Sequence, residues 1–267
     1  MKKVEICFVI LTYNGFDDFK NLYESFSLIE KEFAVVLVDS FSNIDIKNEG
    51  IQLSRELGID FLSVPNKGYG AGNNAGIAFA LKNYDFEYIV IANPDVIIKK
   101  MDYDEIVSHG NDVIIGPSIK NLNNREQNPL YFKKYSLPFF ILKLYVKKGY
   151  IFFLYLYLIV NKFFAQYYFW RFRKTQVLNV YALHGSFMII GKKALEQLIP
   201  LFDERMFLYA EENHVAEKAK AAKVQVILDK NIAIQHKEDG STGESGRNQN
   251  QIRNTLHSLR IFFSNKY

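Results

Sequence analysis

Asn93-Pro94-Asp95 interrupts an apolar run: Tyr88–Ala92 precedes it, and Val96 returns to apolar residues. A lone carboxylate at the carboxyl end of a strand points into the crevice where open α/β sheets bind ligands. There it can hold Mg²⁺ or Mn²⁺ together with phosphate oxygens, although an Asn-Pro-Asp turn needs no such role. A second stretch that could do chemistry is Asn66-Lys67-Gly68-Tyr69-Gly70-Ala71-Gly72-Asn73-Asn74-Ala75, in which Gly70 to Ala75 fits G-x-G-x-x-A. In a dinucleotide-binding fold that fingerprint follows the first strand, and an acidic residue ends the second. Here two strand–helix units come before it, and no Gly-Lys-Ser/Thr follows to make a P-loop. Two readings survive: a turn whose glycines satisfy tight dihedrals, and a helix N-terminus whose free N–H groups suit an anionic ligand.

The elements that must position these residues alternate through the first half. Apolar strands are expected at Val4–Thr12, Ala34–Asp39, Ile59–Val64, Tyr88–Ala92 and Asp112–Pro117. Helices are expected at Asp17–Lys31, with Phe19, Leu22, Phe26 and Ile29 on one face, at Asp45–Leu57 and at Ala71–Asn83. Apolar strands separated by helices imply an α/β fold with a mostly parallel sheet, flanked by helices on both faces. Beyond residue 180 the pattern predicts strands at Ser186–Ile190, Val224–Leu228 and Ile232–Gln235. It predicts helices at Lys192–Leu198, Glu211–Ala222 and Asn248–Phe263.

Seven short motifs stand in a telling order. They are Thr12-Tyr13-Asn14, Asp39-Ser40, Asn66-Lys67-Gly68 with Gly72-Asn73-Asn74, Asn93-Pro94-Asp95, His184-Gly185-Ser186, Phe207-Leu208-Tyr209-Ala210-Glu211-Glu212, and His236 followed by Gly240-Ser241-Thr242. Together they resemble the family 2 glycosyltransferases, most closely the rhamnosyltransferase-like members, which have the Rossmann-like GT-A fold. The resemblance covers roughly residues 4 to 125 and 180 to 245. It implies that Thr12, Tyr13, Asn14, Asp39, Asn66, Lys67, Gly68, Asn73 and Asn93 bind the nucleotide. Asp39 can accept a hydrogen bond from a pyrimidine N3–H, or with Ser40 it can cap a helix. The resemblance places the donor or acceptor sugar at His184, Gly185 and Ser186. It places a Mn²⁺ or Mg²⁺ ion at Asp95, with His236 on the metal or the diphosphate; a lone histidine is more often structural. The general base would be the second residue of an acidic pair, here Glu212 beside Glu211, where the family usually has Asp. Those carboxylates would also suit a helix N-terminus for its own sake. The arginine usual a turn later is absent, with Lys218 or Lys220 nearby.

Composition adds a domain scheme and a surface. The chain has 267 residues, 49% hydrophobic, enough for a sizeable core. One cysteine, Cys7, lies in an apolar run and reads as an inert core thiol. From Gln127 to Leu195 there is no Asp or Glu but eleven Lys and Arg, so the rest of the chain is net acidic. Residues 1–125 read as a nucleotide-sugar-binding half, 126–180 as a basic aromatic helical insert, and 181–267 as the acceptor-binding half with a C-terminal helix. The apolar run Ile151–Val160 is too short to span a bilayer. Its aromatics and flanking lysines suit an anionic membrane surface, with internal packing, a homo-oligomer contact or nucleic-acid binding as weaker alternatives. No signal peptide is evident, so the expected place is the cytoplasm, peripheral to the inner face of the membrane. Long transmembrane helices and a Gln-x-x-Arg-Trp motif are missing, as suits addition of one sugar by an inverting enzyme. Its expected donor is a dTDP- or UDP-sugar, and its expected acceptor a lipid-linked or oligosaccharide acceptor. A nucleotidyltransferase or a non-catalytic membrane-bound relic are the competing readings.

Overall fold

The computed structural model describes residues 1–237 and 249–267. Nine strands form one sheet: β1 (Ile6–Thr12), β2 (Phe33–Ser40), β3 (Asp60–Val64), β4 (Tyr88–Ala92), β5 (Val96–Lys100), β6 (Val113–Asn121), β7 (Val177–Asn179), β8 (Phe187–Gly191) and β9 (Gln225–His236). The order is β3-β2-β1-β4-β8-β6-β9-β5, with β7 pairing β9. The first four neighbours are parallel. Antiparallel β8 joins β4 to β6, and β9 lies parallel to β6 but antiparallel to β5 and β7. The parallel first half is as the alternation of elements implied; the second half is mixed.

Strand β1 shows why the apolar runs are continuous. Its residues alternate between two buried clusters, Cys7 and Val9 on one face, Phe8 and Ile10 on the other. A strand covered on both faces has no polar side. Burial pushes the Cys7 thiol up to about 12, so it is inert at neutral pH. On the Phe8 face lie α1 (Asp17–Glu24) and α2 (Ile44–Leu57). Asn43 caps α2 by accepting from the Asp45 and Ile46 N–H groups, and Gly58 ends it at φ 67°. On the Val9 face lies α3 (Tyr69–Asn83), which approaches the sheet through glycine. A Cβ on Gly76 would stand 2.4 Å from Val9 Cγ1, and one on Gly72 2.6 Å from Leu11 Cδ1.

Several boundaries differ from expectation. The helix expected to reach Lys31 stops at Glu24 and tightens into a 3-10 turn, Ser25–Leu28. The two late strands are one, β9, whose register shifts between Asp229 and Ala233. Strand β5 and helix α4 (Tyr103–Ser108) were not foreseen as elements.

Residues 126–180 contribute α5 (Ser136–Lys148) and α6 (Ile151–Arg171), so the ten-residue apolar run is part of a 21-residue helix. One face of α6 is packed: Phe164 meets Tyr135 at 4.9 Å between ring centroids, Tyr168 meets Phe132 at 5.7 Å, and Tyr157 shares a hydrogen bond with Tyr131. Part of the insert therefore does pack internally. Three further helices complete the Val9 face: α7 (Lys192–Leu198), α8 (Glu211–Ala222) and α9 (Gln249–Ser264). Among the described residues, no helix is long and apolar enough to cross a membrane.

Candidate active site

Strand register gathers the chemistry at one end of the sheet. Thr12 pairs with Asp39 across β1 and β2, Ala92 with both Ile10 and Phe187, and His236 with both Val96 and Asn121. The carboxyl ends of β1, β2, β4 and β9 thus lie beside the starts of β5 and β8. Asn93, Asp95 and Ser186 follow at once, and the Asn93 N–H donates to the Ser186 carbonyl at 2.9 Å. This is the crevice where open α/β sheets bind ligands.

Asp95 is buried, and its Oδ1 has no hydrogen-bond partner. Its Oδ2 stands 3.3 Å from His236 Nε2, and Gln127 Oε1 lies 2.9 Å from the other ring nitrogen. A buried carboxylate oxygen without a partner is costly, and a divalent cation would satisfy it. The carboxylate suits Mn²⁺ or Mg²⁺, and the imidazole beside it favours Mn²⁺, the softer of the two. His184 lies against His236, ring centroids 5.5 Å apart. Burial, with repulsion from His236, depresses the His184 imidazole to about 4, so it is neutral near pH 7. Its Nδ1 accepts from the Ser186 N–H at 3.2 Å, which leaves the proton on Nε2.

Glu211 and Glu212 open α8 from a strained approach. Tyr209 and Ala210 both have positive φ, 73° and 69°, a conformation costly for side chains with a Cβ. Glu211 is buried with Oε1 unpartnered. Burial and the neighbouring Glu212 push the Glu211 carboxyl up to about 8. Burial also raises Glu212, opposed by hydrogen bonds from the backbone N–H groups of Glu212 and Gly185. Like charges this close share one proton near neutral pH. The proton belongs to the pair, so one of the two is a carboxylate near neutral pH. A Cβ on Gly185 would fall 2.8 Å from Glu212 Oε1, so a side chain there would have to displace the Glu212 carboxylate.

Tyr69 ties these parts together and was missed in the sequence. Its hydroxyl donates to the Gly185 carbonyl at 2.9 Å. Burial, with the negative charge of Glu212, Glu211 and Asp95, holds it protonated well above the ordinary phenol range. The only signal was a tyrosine inside a glycine run, which is too common to single out.

The expected nucleotide residues divide. Thr12 is buried and donates to the Val38 carbonyl. Asp39 is fully buried and accepts from Ser42 N–H, Ser42 Oγ and Ser63 Oγ. It caps no helix, because Asn43 does that. Tyr13 is 61% exposed on the neighbouring loop, and the Asn14 N–H reaches Ser42 Oγ at 3.0 Å. Phe41, 70% exposed at φ 62°, is a further aromatic beside Asp39 that sequence reasoning missed. Asn66 and Lys67 are exposed. Asn73 is buried, its Nδ2 bonded to the Tyr69 carbonyl and its Oδ1 unpartnered.

The helix starts at Tyr69 rather than Ala71, and the N–H groups of Gly68 and Tyr69 are engaged. Gly68 N–H donates to Asn66 Oδ1, and Tyr69 N–H to the Phe207 carbonyl at 2.9 Å. Gly68 has φ 103°, and a Cβ there would sit 2.2 Å from Phe207 O. These glycines thus serve close packing. Lys218 does not replace the missing arginine, since its ammonium donates to the carbonyls of Leu198 and Pro200. Gly240-Ser241-Thr242 lies outside the described residues.

Two other features lie away from this crevice. The ligand atoms of Glu105, His109 and Asp229 lie within 4.8 Å of one another. Asp229 is seven positions before His236 in β9, roughly 20 Å at strand rise. His109 Nε2 is 2.8 Å from Asp229 Oδ2, and Asn231 satisfies Asp229 and Glu105. A cavity of about 550 Å³ opens between α8, residues 202–205 and residues 265–267 after α9. Its Arg205 is bound to Asp203, and none of the crevice carboxylates lines it, so concavity alone would have misplaced the site.

Comparison with known proteins agrees with this fold. No family model matches the chain. It is 26% identical over 226 residues to a low-salt glycan biosynthesis hexosyltransferase, Agl10, of Haloferax volcanii, covering 83% of this chain and 64% of that one. It is 27% identical over 100 residues to rhamnosyltransferase WbbL of Escherichia coli K12, 36% of each chain. The chain thus spans less than two thirds of the curated relatives it matches. Among solved structures it superposes on GalNAc-T7 with UDP, GalNAc and Mn²⁺ at TM-score 0.60 and 12% identity, covering 97% of this chain and 48% of that one. It superposes on Staphylococcus aureus TarS 1–349 with UDP-GlcNAc at TM-score 0.58 and 15% identity, covering 97% and 65%. The fold is GT-A, and the chain resembles the family 2 glycosyltransferases.

Proposed function

We propose that this chain is an inverting glycosyltransferase that moves one sugar from a nucleoside-diphosphate sugar to a saccharide acceptor in glycan or surface-polysaccharide synthesis. The observation that carries this is the buried Asp95 carboxylate, one oxygen unpartnered and the other beside His236, next to the Gly185-Ser186 segment against which Glu212 packs. A metal-phosphate site and a proton acceptor within one crevice are what such a transfer needs.

Glu212 takes the proton of the acceptor hydroxyl. That oxygen bonds the anomeric carbon from the face opposite the nucleotide as the bond to the diphosphate oxygen breaks with its electron pair. The proton shared by Glu211 and Glu212 leaves one carboxylate of the pair free to receive another. Asp95 and His236 would hold a divalent cation, which when bound supplies Lewis-acid stabilisation of the leaving diphosphate. Asp39 faces the base, and Tyr13 and Phe41 offer rings beside it. The hexosyltransferase and rhamnosyltransferase names of the relatives favour a hexose or rhamnose on UDP or dTDP. A lipid-linked acceptor at the inner membrane face fits the basic insert.

A panel of dTDP- and UDP-sugars, with and without Mn²⁺, tests this on wild type and Asp95→Ala. Metal-dependent turnover of one donor, lost in the variant, is expected. No binding of any nucleotide sugar would sink the reading.

A further inference from the structure

We infer that the outward face of α6 is a docking surface for an anionic lipid bilayer, lying in the plane of the interface. This goes beyond the catalytic reading and does not rest on it.

The packed face of α6 carries Tyr157, Phe164 and Tyr168, spaced seven and four apart. The opposite face carries Phe152, Tyr155, Ile159, Phe163, Tyr167 and Trp170, spaced three or four apart and all exposed. Ile159 is 55% exposed, Phe163 67% and Trp170 61%. A 21-residue helix is about 31 Å long, so these rings form a continuous apolar ridge. Ridges of that size on a water-facing surface mark a contact.

Charge selects the occupant. Lys147 and Lys148 precede the ridge, Lys162 sits within it, and Arg171, Arg173 and Lys174 follow it. Acidic residues are absent from 127 to 195. A second copy docked symmetrically would set this basic edge against itself, because a two-fold contact brings the same patch to both sides. Anionic headgroups neutralise it instead, while the rings enter the acyl boundary. Tyr and Trp are the side chains that settle at that depth, and the helix is not apolar enough to cross.

Away from the ridge, Lys134 Nζ lies 2.6 Å from Glu217 on α8, and the Tyr181 hydroxyl donates to the same carboxylate.

Trp170 is the only tryptophan and reports on this face directly. The test adds vesicles of 70:30 phosphatidylcholine:phosphatidylglycerol, or phosphatidylcholine alone, to the whole chain at low salt. The expected result is flotation with the anionic vesicles, a blue shift of Trp170 emission, and quenching by brominated acyl chains. Both surface substitutions in Ile159→Glu/Phe163→Glu should weaken partitioning at least tenfold with an unchanged far-UV spectrum and melting temperature. Reversing Arg171, Arg173 and Lys174 to Glu should weaken it about fivefold or more per residue. Absence of flotation and of any Trp170 shift overturns the proposal. So does vesicle-independent dimerisation that is lost in Ile159→Glu/Phe163→Glu, which would make the ridge a self-contact.

Discussion

At the scale of single residues, the unusual pair is Glu211 and Glu212, two adjacent carboxyls in a buried place that share one proton. Burial raises the folded state's affinity for that proton. The stability the pair contributes is therefore fully present below about pH 4.5 and is lost as pH rises through about 8. Glu211→Gln removes the titration, so melting temperatures of wild type and variant should match near pH 5. By pH 8.5 the variant should be the more stable by roughly 1–3 kcal/mol. Parallel curves would remove the shared proton. Glu212→Gln should lower turnover by about 10² to 10⁴ with donor affinity retained, measured by single-turnover kinetics and nucleotide binding. Gly185→Ala should cost about 10² in kcat, because its Cβ displaces the Glu212 carboxylate and small misplacements are expensive. Asp95 stands out in the sequence as a carboxylate that breaks an apolar run, whereas Asp39 and the acidic pair are legible only through the order of motifs that resembles the family. Tyr69 and Phe41 are not legible, because nothing local separates a tyrosine or phenylalanine that faces a site from one that fills a core.

At the scale of elements, the helix–sheet contacts carry the precision. Helix α3 meets β1 and β2 through Gly76 and Gly72, so the same residues that resemble a phosphate loop are spacers. Gly76→Ala should destabilise by about 1–3 kcal/mol through overpacking against Val9 and Val38, seen as a melting temperature lower by several degrees. An unchanged melt would show that α3 can lift without cost. The first-half elements were legible from alternation of apolar runs and helical periodicity. Short amphipathic pieces were not: β5 is five residues and α4 six, too few to establish a period. The bulge after Asp229 split one strand into two apparent ones, because a register shift breaks the apolar run at its polar residues.

At the scale of the whole molecule, the sheet joins a parallel half that holds Thr12 and Asp39 to a mixed half that holds Asp95, Ser186 and His236. A nucleotide sugar bound with Mn²⁺ would bridge them and stabilise the folded chain. At a hundredfold excess over its Kd it should add about 2.7 kcal/mol, visible as a rise in melting temperature that Asp95→Ala abolishes. A rise in that variant equal to wild type would take the metal away from Asp95. Convergence of the site was only partly legible, since strand order in a mixed sheet is set by long-range pairing that spacing does not encode.

That pairing also has a cost in time. Strand β5 finds its partner only in β9, among the described residues, and the paired positions lie about 130 to 140 apart in the chain. On a ribosome adding 5–20 residues per second, β5 and its edge of β6 wait roughly ten seconds with open backbone groups before β9 emerges to cover them. The end of the crevice where Asp95 meets His236 is thus the last part of the sheet to be assembled, and a nascent chain lacking residues beyond 224 would expose a sticky edge there instead of a finished one.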